Sequence, residues 1–257
     1  MNPKNRSRKL TKLSINARSK ATPKKASNAR RAAPLTGSDG DGESIGRIRK
    51  STMAHIVSCA ERVFAEAGFG GASMLELARA ADVPKANVHY YFTNKEGLYR
   101  AVLDNVLTVW ISTTDDIQKD RDPAEALSAY IRAKIELSKT RPFASKVFAN
   151  EILHGAPQLQ SYLANDLRKA FEEKSRIVEY WIAKKKMRKV DPMHLFFCIW
   201  AMTQTYADFE AQMRGVLGIA KMTDEVYRKG AETITRLVLG GCAIEEAAAT
   251  KRARHRG

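Results

Sequence analysis

Apolar residues recur along the chain with a helical period, in blocks separated by Pro, Gly and Asp-rich breaks. Ile56, Ala60, Val63, Phe64 and Ala67 fall at i, i+4, i+7, i+8 and i+11, a single apolar stripe that predicts a first helix closed by Gly68. Ordered structure is expected from about Ile45, after a Gly/Asp/Ser hinge at Thr36–Ser44. Ser73 suits the N-cap of a short second helix holding Met74, Leu77 and Ala78, which breaks at Ala81-Asp82-Val83, where Asp82 tolerates a left-handed conformation. Pro84 then opens a third helix of about two turns, Lys85–Tyr91. After Thr93-Asn94 a long helix is predicted from about Lys95 to Gln118.

Further breaks at Asp122-Pro123, Arg141-Pro142, Ala156-Pro157, Asp191-Pro192 and Gly218–Thr223 separate five more helical segments. The expectation is an all-α protein of about nine helices without strands. Two late segments, Leu195–Gln212 and Asp224–Leu239, need a deep core or a partner chain. The first is apolar around most of its circumference, and the second carries Tyr227, Ala231, Ile234 and Val238 along one stripe.

Charge changes this picture at the ends. The formal net charge is +16, but residues 1–34 hold eleven Lys/Arg and no acid, and residues 251–257 hold four more, so the interior is nearly neutral. Such tails raise non-specific affinity for phosphate backbones in a salt-dependent way. Alternatively the leader is disordered and solvated, since a stretch rich in Ser, Asn, Ala and Pro without aromatics cannot offset the entropy of ordering. A transit peptide fits its acid-free composition but not its lack of an amphipathic stripe. The longest uninterrupted apolar run, Leu195–Met202, is far short of a membrane span, and Cys59, Cys198 and Cys242 are isolated, reading as core residues in a reducing bacterial cytoplasm.

Catalysis finds no support. His55, His89, His154, His194 and His255 lack metal-ligand spacing, no nucleophile elbow is present, and Gly68-Phe69-Gly70-Gly71 follows a helix where a dinucleotide loop needs a strand. No cofactor is called for. Two short helices with a tight turn between longer ones form a helix-turn-helix pattern. Its third helix must turn Val88 and Phe92 inward, which leaves Lys85, Ala86 and His89 on the groove-facing side and assigns base-edge reading to Lys85 and His89. Asn87, to one side of that face, can reach a base or a phosphate.

The stretch SMLELARAADVPKAN followed by VHYYFTNKEGLYRAVL resembles the DNA-binding domain of the TetR repressor family over residues 45–100. The agreement includes Phe64, Gly68, Val83 and Tyr90-Tyr91-Phe92-x-x-Lys95. The resemblance implies phosphate contacts from Tyr91, Lys95 and the Ser73 hydroxyl, and a homodimer on palindromic double-stranded operator DNA. It departs from the family at Asp82 and Pro84, where Gly and Ser/Thr are usual, and at Ala86 and His89, so the operator sequence does not carry over.

A second resemblance covers residues 130–218. The stretches YIRAKIELSK, RPFASKVFANEILHGAP and DPMHLFFCIWAMTQTYADF are similar to the sensing domain of the RutR-type pyrimidine-utilisation regulators, a branch of that family. The implied effector is uracil or thymine, and matching positions put Trp200 and Gln204 at the ligand and Leu107, Ile111, Phe148 and Trp110 in an apolar wall. Trp200 and Gln204 lie four apart and share a helix face. A Gln amide can both donate to and accept from an imide edge while an indole packs on the ring. Asp208, one turn on, is placed to tune that site or to bond a Tyr.

The expected organisation is a basic leader (1–44), a helix-turn-helix domain (45–100), a ligand-binding and dimerisation domain (101–240) and a basic tail (241–257). The expected function is a DNA-binding transcriptional regulator, a repressor whose operator affinity answers to a small molecule, with dimerisation through the last two helices. Two alternatives stand beside it: the same architecture with a different effector, and a weakly specific architectural DNA binder dominated by its basic tails.

Overall fold

A computed structural model describes residues 40–242, with side chains from residue 46 on; the basic leader up to residue 39 and the tail from residue 243 lie outside the described residues, and the readings made of them lie there too. Among the described residues there are helices and turns and no strand. Four helices build the N-terminal part: α1 (Gly40–Gly71), α2 (Met74–Ala80), α3 (Lys85–Phe92) and α4 (Lys95–Ser112). They are followed by α5 (Pro123–Thr140), α6 (Pro142–Leu153) and α7, in which Gln160–Tyr162, a π-helical turn Leu163–Leu167 and Arg168–Ala183 run on without a break. The last three are α8 (Pro192–Asp208), α9 (Glu210–Leu217) and α10 (Asp224–Cys242).

The local chemistry that sets the boundaries is visible at each break. Gly68 takes φ 67° and ends the regular part of α1 as its sequence position suggests. Ser73 forms a capping box, its Oγ accepting from Glu76 N–H while the Glu76 carboxylate accepts from Ser73 N–H. Asp82 turns through φ 51° between α2 and α3. Asp122 and Asp191 cap α5 and α8 directly ahead of Pro123 and Pro192.

Three boundaries and the burial of one stripe differ from the sequence pattern. α1 starts at Gly40, five residues ahead of Ile45, because extending an existing helix costs far less than nucleating one and the Gly/Asp/Ser stretch rides on the stripe behind it. α4 ends at Ser112, not near Gln118: the hydroxyls of Ser112, Thr113 and Thr114 donate to carbonyls three residues back and divert the chain into turns. Ile117 is nevertheless fully buried. The segment Leu195–Gln212 divides at Phe209, where Asp208 turns its carboxylate to accept from Ser145 Oγ at 2.6 Å, so ten helices stand where about nine were expected. In α1 the stripe is buried at Ile56, Ala60 and Phe64, half-buried at Val63 and exposed at Ala67.

The helices enclose two apolar cores. One is built from α1 to α4 and takes in Ala144 and Val147 of α6 together with Ala156 and Leu159. The other gathers Ile117 with α5, α7, α8 and α10, including Tyr130, Trp181, Phe196 and Ile199. Polar contacts brace α1, α4 and α6 around the first core. Arg141, at the α5–α6 corner, pairs with Glu61 of α1 and donates to Asn105 Oδ1 of α4 at 2.7 Å. Tyr99 of α4 donates to Glu151 of α6 at 2.9 Å, and the other Glu151 oxygen accepts from Gln158 N–H. The stripe of α10 packs on this second core, with Ile234 and Val238 buried and Tyr227 and Ala231 partly so, while Leu237 of α10 and Phe197 of α8 stay 62% and 48% exposed. Cys198 of α8 is exposed, which corrects its reading as a core residue; Cys59 is half-buried and Cys242 buried. The pattern could not show which face of an all-round apolar helix stays outside.

Gly97 explains how closely α4 follows α3. Its N–H is capped by Asn94 Oδ1 at 2.8 Å, and a Cβ built there would press into the Phe92 carbonyl oxygen. Gly97→Ala is expected to cost about 1–3 kcal/mol, read as a lower urea midpoint, because backbone must move to admit the methyl. Gly70→Ala, whose Cβ meets nothing within 4 Å, is expected to leave the midpoint unchanged.

Candidate functional site

The first candidate surface is the outer face of α3. Val88 and Phe92 are buried, and Lys85, Ala86, Asn87 and His89 are exposed on the other side, as the groove-facing assignment requires. His89 Nδ1 lies 3.0 Å from the Thr93 carbonyl, an acceptor, so Nδ1 is the donor of that contact, and the tautomer it selects leaves Nε2 as the acceptor. Ser73 keeps its hydroxyl hydrogen free, since its Oγ is the acceptor in the capping box. Tyr91 is half-buried against the first core, whereas Tyr90 is 69% exposed with the Arg49 guanidinium 5.6 Å from its ring centroid. Lys95 is engaged within the protein. Its Nζ donates to the Ala72 carbonyl at 2.9 Å and sits 4.6 Å from the Phe69 ring centroid, which ties the start of α4 to the α1–α2 junction.

The second candidate is a narrow cavity of about 50 Å³ where the two cores meet. All six residues expected at the effector line it: Leu107, Trp110 and Ile111 from α4, Phe148 from α6, Trp200 and Gln204 from α8. Trp110 and Phe148 meet edge to face at 4.7 Å between centroids, as do Phe171 and Trp200 at 4.6 Å. Gln204 makes no hydrogen bond to any described residue, so its amide retains both donor and acceptor capacity. Trp200 donates its indole N–H to Tyr130 Oη at 2.7 Å, which leaves the ring face for packing and the Tyr130 hydroxyl hydrogen for a new acceptor. Asp208 bonds Ser145, correcting the expectation of a Tyr partner.

Four lining residues were missed by the sequence reading: Tyr130, Lys134, Leu167 and Phe171. Leu167 arrives on the π turn of α7, which no hydrophobic period announces. Lys134 did carry a signal, because it stands four residues after Tyr130 and four before Ser138 on the buried side of α5. A lysine inside a buried stripe is rare and asks for a reason. It is 4% exposed, and its Nζ lies 4.0 Å from the Trp110 ring centroid. Burial pulls its pKa down to about 7, against a weaker opposing pull from the Asp208 carboxylate. The Asp208 carboxyl is itself raised by burial, with Ser145, Lys134 and Lys146 acting the other way.

Comparison with known proteins decides the family. Residues 103–245 match the family model described as YcdC-like protein, C-terminal region, and residues 56–102 match that of the bacterial regulatory proteins, tetR family. The HTH-type transcriptional regulator RutR of Escherichia coli strain K12 is 40% identical over 187 residues, which span 72% of this chain and 88% of that protein; RutR of Shigella flexneri gives the same figures. The chain belongs to the TetR family. It is a RutR-like helix-turn-helix transcriptional regulator, and its relatives are regulators rather than enzymes. Among solved structures, the TetR family regulator PfmR of Thermus thermophilus superposes with a TM-score of 0.58 at 19% identity, covering 72% of this chain and 97% of that one. AibR in complex with isovaleryl coenzyme A and operator DNA gives 0.55 at 20% identity with the same coverage. Both show the fold. No helix among the described residues is long and apolar enough to cross a membrane.

The regulator's buried lysine sets a pH dependence of stability. Between pH 7 and 10.5 the unfolded chain holds a proton on Lys134 that the folded chain has lost, so the cost of burying the ammonium is complete below pH 7 and fades as pH rises through that window. Lys134→Met should therefore raise the melting temperature at pH 6.5 and bring a smaller gain at pH 9, with a change of slope of at most about 1.4 kcal/mol per pH unit. An equal shift at both values would show that the amine does not titrate there.

Proposed function

We propose that this regulator is a repressor released from its operator by a pyrimidine such as uracil or thymine, bound in the cavity between the two cores. The observation that carries the reading is the convergence of all six residues implied by the RutR resemblance on one small cavity. Its size limits the occupant: drug-sized ligands take pockets of roughly 300–1,000 Å³, so this cavity admits no more than a single small ring, and that only by moving its walls apart. The aromatic walls suit a flat ring. The unpaired Gln204 amide suits an imide edge, which offers a carbonyl next to an N–H.

α4 then carries the signal. Its first turn is fixed to α3, and its last two turns carry Leu107, Trp110 and Ile111 in the cavity wall. A ring that pushes these residues outward tilts the helix and changes the distance between the two α3 helices of a dimer, which must match roughly 34 Å, one helical turn of DNA. The exposed side of α8 and α10, with Phe197, Cys198 and Leu237, is the surface this reading assigns to the partner protomer. On the DNA, Lys85 donates to base edges, and His89, with Nε2 as acceptor, suits the exocyclic amino group of adenine or cytosine. Ser73 and Tyr91 serve phosphates, and Asn87 a base or a phosphate. Lys95 joins them only through whichever of its N–H groups Ala72 does not use.

Two measurements test the reading. Uracil or thymine, but not adenine, should raise the melting temperature of the parent, and Gln204→Ala should abolish the rise; a parent that no pyrimidine shifts has a different effector. Lys85→Ala and His89→Ala should each weaken operator binding about tenfold, on the order of 1–3 kcal/mol for a base contact, while binding to unrelated DNA stays within twofold. Equal losses on both DNAs would make these residues phosphate contacts. Linkage adds a cross-check, because saturating operator must weaken the pyrimidine by the factor with which the pyrimidine weakens operator.

A further inference from the structure

The cavity's polar groups are unbalanced. Tyr130 offers a hydroxyl hydrogen, since its oxygen already accepts from Trp200, and Gln204 offers one donor side and one acceptor side. Lys134 adds an ammonium whose Nζ donates to no described residue and has no described carboxylate within 4 Å. Its surroundings on every packed element are accounted for. Trp110 lies under it on α4, and Tyr130 lies one turn back on α5. Asp208 on α8 accepts from Ser145 and acts on Lys134 only at longer range, and Lys146 of α6 competes for the same carboxylate.

A buried cation without an ion pair is destabilising, and an indole face returns only part of the lost hydration. A lysine kept in that position is explained if the bound ligand supplies the missing partner. Resting on the reading of the cavity as a site for a cyclic imide, we propose that Lys134 is its specificity-determining residue, receiving a ring oxygen and selecting rings that bind as the imide anion. The effector class is thereby narrowed from flat imides in general to acidic ones. In the anion the charge is shared between the ring nitrogen and its flanking oxygens, so one oxygen meets Lys134 while the opposite edge meets Gln204. The aromatic walls exclude water from that pair, which strengthens it relative to the same contact in solution.

The burial that holds the Lys134 pKa near 7 also makes the amine responsive, because an anionic oxygen beside it favours the charged form. A lysine placed only for packing would gain nothing from charge on the ligand.

Uracil and 5-fluorouracil provide the test, being nearly equal in shape while the fluorinated ring loses its imide proton more readily. Calorimetric titration of the full-length dimer at pH 8 is expected to show 5-fluorouracil bound at least fivefold more tightly than uracil. In Lys134→Met that ratio should fall below twofold, with a melting temperature no lower than the parent's at neutral pH. Lys134→Gln, which keeps a donor without the charge, carries the same expectation, so failure of one variant to fold leaves the test standing. Equal affinities for the two rings in the parent, or a ratio unchanged in the variants while uracil still binds, would overturn the role of Lys134 and leave the pyrimidine reading intact. Binding of neither ring by the parent would overturn both.

Discussion

Everything in this molecule that links one end to the other depends on α4 running from the first core into the wall of the cavity where the second core begins. Leu98, Tyr99, Val102, Leu103 and Val106 are buried with α1 to α3, and one turn later Leu107, Trp110 and Ile111 face the cavity. A single helix cannot satisfy both packings unless its register is fixed. The Asn94 cap, the Lys95 contact to Ala72 and the bare Cα of Gly97 against Phe92 fix its start. Close-packed interiors change by discrete repacking rather than by gradual compression, so a displacement at the far end is passed along the rod.

Two buried polar networks hold that rod at its middle, and they differ in kind from the lysine in the cavity. Glu61 is 6% exposed and its carboxyl pKa is raised by burial, against which the Arg141 guanidinium pulls it back down. Arg141 also donates to Asn105, and Tyr99 with Gln158 satisfies both oxygens of Glu151. Such pairs add little net stability over apolar packing, but removing one member leaves a buried charge unpaired, typically at a cost of about 3–5 kcal/mol. They therefore specify one arrangement of α1, α4 and α6 against near alternatives. Lys134 specifies nothing of this sort, because no described carboxylate answers it directly.

The sequence carried the α1–α4 junctions closely, since their signals are local: a serine three residues before a glutamate, an aspartate in a turn, a proline just ahead of α3. It also carried the six cavity residues, through similarity to relatives rather than through any period. What it could not carry was decided by tertiary contacts. The hydroxyl cluster after Ile111 ends α4 while Ile117 continues the apolar pattern. Phe209 divides a segment that reads as one helix, because Asp208 finds Ser145, sixty-three residues away. Lys95, which the resemblance assigns to a phosphate, is engaged by the Ala72 carbonyl at the α1–α2 junction. Lys134 was legible in principle as a charge in a buried stripe, and only its neighbours show that it faces a space rather than a partner.

Stability and sensing pull against each other at that space. Filling it with larger apolar side chains and replacing Lys134 by one would both strengthen the fold by general rules, the first by removing a void and the second by removing a buried charge. A cavity retained between two cores makes α4 the least constrained where the signal must enter, while the Glu61–Arg141–Asn105 and Tyr99–Glu151 contacts keep it most constrained in the turns leading to α3. Under the proposed function a bound ring supplies what the fold lacks at one end, and the energy it returns is available to shift the position of the other. That asymmetry also separates the two specificities. Under the proposed function, changing Lys85 or His89 alters which DNA is read without touching the cavity, and changing the cavity wall alters the signal without touching the reading face, provided that α4 between them is left as it is.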